Sequence, residues 1–262
     1  RNTSVIQQGH ALLIDPTTAT QSSNTADGSV FSVYANNCFF DNSSGNGIRI
    51  VATGTGSVVR CRFANCWVGS SAGDGVFIVN SGSGLVQGLY FDSCHAVLNG
   101  TSGSGAGFTT GGTVSDIAIN GGLAGGGLSG NSGNGVVLAS GTSNIVVTGN
   151  TVISNTSNGV VALGTATDYA ITDNFISGNG VNLTVTATAN RVVRNNVSVT
   201  SPDFASGTSL IASGDVSVVV THGFGVAPSA SSIQISPTAG WGSNPLYVDT
   251  TTITSTQFTV RA

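Results

Sequence analysis

The chain has 262 residues, a net charge of −4, 38 Gly, 5 Pro and no Met, and all of its 7 bases are Arg and all of its 11 acids Asp. With 39% apolar and 7% charged residues it can bury a core, which argues against disorder, and its scattered Arg residues form no basic stripe for nucleic acid. No apolar run approaches the ~18 residues that span a bilayer, so membrane insertion is not expected.

The opening stretch RNTSVIQQGHALLID has no positive region followed by a long apolar one, so no secretion leader is read in it. Without an initiator Met the chain reads as a processed product or a fragment, with an N-terminal part missing.

From about residue 30 the chain repeats. Words of the form G-apolar-x-apolar open at Gly47, Gly75, Gly107, Gly135, Gly159 and Gly180. A second row runs through Phe39, Phe63, Phe91, Leu123, Val152, Ile176 and Val197, all apolar. A third row is Asn37, Cys61, Leu89, Gly121, Asn150, Asn174 and Asn195, and a fourth is Asn42, Cys66, Cys94, Gly126, Asn155 and Asn179. Within each unit apolar residues alternate, as in NIVVTGNTVISN, which is strand periodicity with no helical window between. Short strands stacked by such a repeat predict an all-β, right-handed parallel β-helix of about seven coils, spaced ~4.8 Å apart, over residues 1–204. Asn suits its corners because it tolerates the left-handed conformation and its amide can bond from coil to coil.

Cys38, Cys61, Cys66 and Cys94 form no CxxC pair and have no His at ligand spacing, so no metal site is expected. Cys66 and Cys94 hold one ladder position in successive coils, where parallel Cβ vectors disfavour a disulfide; they are expected to be unbridged neighbours. Cys61 reads as a corner residue. After the linker TSPDFASG, alternating apolar residues from Ser217 to Val260 with Gly and Pro punctuation predict a small β-sandwich, giving a second domain over 205–262. In it His222 and Trp241 read as packing residues.

The words NGIRI, NGVVL, TGNTVISN and TDNFISGN resemble the pectin-lyase-like β-helix superfamily, and VTHGFGVAP, IQISPT and LYVDTTTITSTQFTV resemble a C-terminal domain of phage tailspike and tail-fibre proteins. That resemblance implies a homotrimer on the virion surface, assembled in the host cytoplasm, joined to other tail proteins and binding host surface polysaccharide during adsorption. Two alternatives stay open on the same scaffold: a polysaccharide depolymerase, as hydrolase or lyase, and a bacterial surface carbohydrate-binding protein.

The distance from a fourth-row residue to the next opening glycine runs 5, 9, 13, 9 and 4 from Asn42 to Asn155, so one edge swells around residues 95–106. Insertions on one face of a solenoid commonly mark the binding face. Trp67, Asp74, His95, Asn99 and Asn131 are the glycan-binding candidates there, since rings beside amides and a carboxylate suit a sugar. Asp74 and Asp92 are the nearest candidates for a catalytic carboxylate pair. They lie on different segments, so binding without cleavage is the favoured expectation. Asp116 and Asp168 could complete a site only across a subunit contact. No cofactor is expected.

Overall fold

A computed structural model describes residues 4–5, 9–16, 28–124, 130–187, 189–199, 209–212, 215–222, 227–236 and 245–261. The chain divides into two compact units, Arg1–Val199 and Thr200–Ala262.

The first unit is a parallel β-solenoid. Each coil adds one strand to each of three sheets: Trp67–Gly69 to the first, Val76–Asn80 to the second, Val86–Asp92 to the third. The next coil repeats that order with His95–Val97, Phe108–Gly112 and Val114–Asn120. Pairing is parallel throughout, with His95 on Trp67, Phe108 on Val76 and Phe91 on Phe63. The coils that open at Phe39–Asp41, Trp67–Gly69, His95–Val97, Thr151–Ile153 and Phe175–Ser177 each supply three strands of at least three residues. The coil at Leu123–Ala124 and the one before Phe39 each supply a two-residue strand. The regular solenoid is therefore about five coils long, not the expected seven.

The alternation seen in the sequence sorts side chains in and out. On the second sheet Ile48, Val76, Phe108, Val136 and Val160 form one interior column, each at most 2% exposed. On the third sheet the column is Ala35, Phe63, Phe91, Ile119, Val147, Ile171 and Val193. Phe63 and Phe91 stack at 4.9 Å with planes 6° apart, and Phe108 meets Phe91 edge-on at 5.4 Å. Each such side chain contributes about 1.5–3 kcal/mol by leaving water.

The apolar row from Phe39 to Val197, expected to stack as one interior column, instead mixes two sheets. Phe39 and Val197 lie on the outer face of the first sheet, 45% and 56% exposed, while Phe63 and Phe91 are inside the third. The slip has a physical cause. Only a tight corner separates the end of a third-sheet strand from the start of a first-sheet strand, and an apolar residue stands on each side of it.

Left-handed residues turn that corner in every coil: Asn37, Asn65, Ser93, Gly121, Gly149, Asp173 and Asn195, with φ from 52° to 65°. The residue after each forms a continuous rung column, Cys38, Cys66, Cys94, Gly122, Asn150, Asn174 and Asn196. The amide rungs tie one coil to the next. Asn150 Oδ1 accepts from Gly122 N at 2.8 Å and Asn174 Oδ1 from Asn150 N at 2.9 Å, while Asn150 Nδ2 donates to Ile119 O at 2.8 Å. They satisfy backbone groups that strand pairing leaves over at a bend.

Thiols fill the same slot in the earlier coils. Cys66 Sγ donates to Ala64 O at 3.3 Å and Cys94 Sγ to Phe63 O at 3.4 Å, the carbonyl positions that the amide rungs serve further along. Cys61 is not at a corner; it is fully buried in the third sheet against Leu89.

A second ladder lines the corner between the first and second sheets. There Asn99 N donates to Asn131 Oδ1 at 3.0 Å, Asn131 N to Asn155 Oδ1 at 3.2 Å and Asn155 N to Asn179 Oδ1 at 3.0 Å. Of the fourth sequence row, Asn155 and Asn179 belong here, Cys66 and Cys94 belong to the other corner, and Gly126 lies outside the described residues.

The second unit holds one antiparallel sheet in the order Ser217–Thr221, Gln257–Arg261, Tyr247–Asp249. Among the described residues the expected sandwich is this single sheet. Arg261 Nε bonds Asp249 Oδ2 at 2.7 Å and His222 stacks on Phe258 at 5.9 Å. Trp241 lies outside the described residues.

The rungs can be tested by substitution. Asn174→Ala removes a donor and an acceptor from buried backbone partners and should cost about 1–3 kcal/mol, whereas Asn174→Cys, which copies the thiol rung, should cost less. Urea midpoints of the two variants give the comparison; equal losses would show that the side chain only fills space.

Candidate functional site

In the words opened by Gly47, Gly75 and Gly107 the x residue points out of the rod. On the second sheet this puts Arg49, Phe77 and Thr109 on successive rungs of the outer face. The Arg49 guanidinium carbon stands 5.2 Å from the centre of the Phe77 ring.

A loop over residues 98–107 rises beside them. It is pinned at several points: Ser102 Oγ donates to Ala72 O at 2.8 Å, Ser132 Oγ to Gly100 O at 2.6 Å, and Ala106 N to Asp74 Oδ1 at 2.6 Å. Gly100 has φ +81°, and a Cβ there would lie 2.1 Å from Ser132 Oγ, so only glycine fits the bend. Loop and sheet enclose an open depression of about 470 Å³, lined by Asn46, Arg49, Asp74, Phe77 and residues 102–105.

Among the described corners, the swelling that leads to this loop is a step rather than a gradient. Measured from the left-handed residue that starts the corner, Asn42 to Gly47, Ser70 to Gly75 and Ser154 to Gly159 are each 5 positions, while Leu98 to Gly107 is 9. The smooth progression came from counting from two different corners.

Asp74 is at once a rung and a wall of the depression. Its N–H donates to Asn46 Oδ1 at 2.9 Å, and its own Oδ1 receives Ala106 N. Burial pushes its carboxyl above the usual range, and the Ala106 N–H and the Thr109 side chain only partly offset that.

The other candidates lie elsewhere. Asn99 and Asn131 are 1% and 0% exposed, held inside the second ladder, and cannot meet a ligand. Trp67 and His95 sit on the outer face of the first sheet, on adjacent rungs, with rings 6.1 Å apart and 23° between planes. The indole lies over Gly69, where a Cβ would come within 2.4 Å of Nε1. Neither ring lines the depression. Asp92 ends a third-sheet strand, where it pairs with Arg62 at 2.9 Å and accepts from Asn120 Nδ2 at 3.1 Å; it does not converge with Asp74. Asp116 and Asp168 occupy left-handed positions on the third sheet, Asp116 bonded to Asn144. Arg49 and Phe77 went unread in the sequence. The signal for them is the outward x position of the same words whose glycines and apolar residues marked the coils.

Cys38, Cys66, Cys61 and Cys94 are all free thiols, and Cys66 and Cys94 are neighbours as expected. The interaction between the two neighbouring thiols pushes Cys66 down and Cys94 up, and burial pushes both up. Among the described residues no three His, Cys, Asp or Glu side chains converge on a metal-sized point; Cys38, Cys66 and Cys94 follow one another along a corner, and Cys61 lies apart in the third sheet.

Compared with protein-family models, with curated proteins and with solved structures, the chain shows no match. The first unit is a parallel β-solenoid with a walled depression on its second sheet.

Two outcomes follow from these environments. Thiol titration under denaturing conditions without reductant should return all four cysteines, and in the native state only half-exposed Cys38 should react readily; a Cys66–Cys94 disulfide in peptide mapping would contradict the ladder geometry. Asp74 has a raised folded pKa, so its contribution to stability is fully present below 3.8 and is lost as pH rises through the higher folded value. Asp74→Asn should flatten that part of the stability curve, read as urea midpoints between about pH 3 and pH 7; an unchanged slope would place the effect on another group.

Proposed function

We propose that the chain is a glycan-binding rod of the kind carried by phage tailspikes and tail fibres, and that it holds host surface polysaccharide in the second-sheet depression without cutting it. One observation carries this reading: the longest described corner loop, residues 98–107, walls a depression whose floor is an aromatic ring and a guanidinium, Phe77 and Arg49. A sugar offers an apolar face to a ring and hydroxyls to polar groups around it. An open site of this size binds weakly, so useful adhesion calls for several copies acting together, and a homotrimer displayed on a virion is the assembly proposed here.

Binding without cleavage is favoured by the carboxylate arrangement. Hydrolysis by paired carboxylates needs two of them ~5–9.5 Å apart. Among the described residues Asp74 is the one carboxylate lining the depression, and Asp92 is engaged with Arg62 on another sheet.

The test is binding of surface polysaccharides from candidate hosts by the wild type and two single variants. Phe77→Ala should weaken binding about tenfold, the effect of losing roughly 1.4 kcal/mol of stacking, with the thermal midpoint unchanged. Trp67→Ala should bind like the wild type. Loss in Trp67→Ala alone would move the site to the first sheet, and oligosaccharides released by the wild type would establish a depolymerase instead.

A further inference from the structure

Building on the proposed use of this depression, we infer that it selects an acidic sugar, whose carboxylate docks on Arg49. The first support is that Arg49 makes no ion pair among the described residues, although a carboxylate, Asp74, lines the same depression. Asp74 is committed elsewhere: its Oδ1 receives Ala106 N at 2.6 Å. Arg62 shows the contrast, since its charge on the third sheet is met by Asp92 at 2.9 Å.

The second support is how Arg49 is held. Its guanidinium carbon stands 5.2 Å from the centre of the Phe77 ring, a cation–π contact that occupies none of its hydrogen-bond donors. A guanidinium edge matches a planar carboxylate through two parallel hydrogen bonds, a fit that an ammonium group cannot give. The third support is the charge nearby. His10 receives Asn46 N on Nδ1 at 2.9 Å, and its pKa is lowered first by burial and then by Arg49, so it stays neutral and Arg49 is the cation of the depression. Ser102 and Ser104 in the wall add hydroxyls for the rest of the sugar.

The experiment compares four polymers on the full chain: a uronic-acid polysaccharide, the same polymer with its carboxyls reduced to alcohols, neutral dextran and dextran sulfate. The variants are Arg49→Gln and Arg49→Lys, with Phe77→Ala as the marker of the depression. The wild type should bind the uronate polymer at least about tenfold more tightly than its reduced form. Arg49→Gln should erase that difference, and Arg49→Lys, which keeps the charge without the fork, should restore only part of it.

Equal affinity for the uronate and reduced polymers, both weakened by Phe77→Ala, would overturn acid selection and leave the glycan-binding reading standing. Dextran sulfate bound as tightly as the uronate would overturn the carboxylate assignment. Binding of none of the four, or binding indifferent to Phe77→Ala, would remove the depression as a glycan site and the inference with it.

Discussion

The rest of the molecule depends on the pairing of a left-handed residue with an inward polar one at each corner. A parallel solenoid must bend its backbone sharply in every coil, and a bend breaks strand pairing and strands N–H and C=O groups in the interior. At the corner between the third and first sheets, Asn150, Asn174 and Asn196 meet those groups with both ends of their amides. Each amide donates into its neighbourhood and accepts from the coil before it, so a corner is satisfied only when the next coil is in register. The ladder thereby sets the register.

That register is what makes the depression. Arg49 and Phe77 are neighbours because the second-sheet strands Ile48–Ala52 and Val76–Asn80 pair residue for residue. The loop over 98–107 stands beside them because its first buried residue, Asn99, is a rung bonded to Asn131, and its last turn is fixed by Asp74. An insertion anchored at both ends can widen one coil without disturbing the next. Asp74 shows the economy of the arrangement, since one carboxylate closes the loop, continues a ladder begun by Asn46 and lines the depression.

Much of this was legible in the sequence. Gly47, Gly75, Gly107, Gly135 and Gly159 do oppose one another from coil to coil; the row ends on Asn182 rather than Gly180. A glycine is required there because a side chain would strike the next coil, as at Gly75, where a Cβ would come 2.7 Å from Gly107 O. The corner rows were harder, because both corners of the first sheet use the same device of a left-handed residue before an inward polar one, and composition alone does not say which corner an Asn belongs to. The thiol rungs hid the column further. Cys38, Cys66 and Cys94 continue the line of Asn150, Asn174 and Asn196 across Gly122, but a search for amides passes over them. Asn99 and Asn131 stood in a loop-rich stretch and read as exposed, whereas their buried amides are scaffold. Arg49 and Phe77 were invisible for the opposite reason, being the variable letters of a repeat read for its constant ones.

The ladder is tested most directly by native-state hydrogen exchange at the corner amides. The N–H groups of Gly122, Asn150 and Asn174 bond side chains of the following coil at 2.8, 2.9 and 3.1 Å. If these rungs hold the coils in register, the three amides exchange only through global unfolding, with the same free energy as the strand amides around Phe91. Exchange at rates typical of the exposed 98–107 loop, with the strands still protected, would show that the corners fray independently and that register is set by the apolar columns alone.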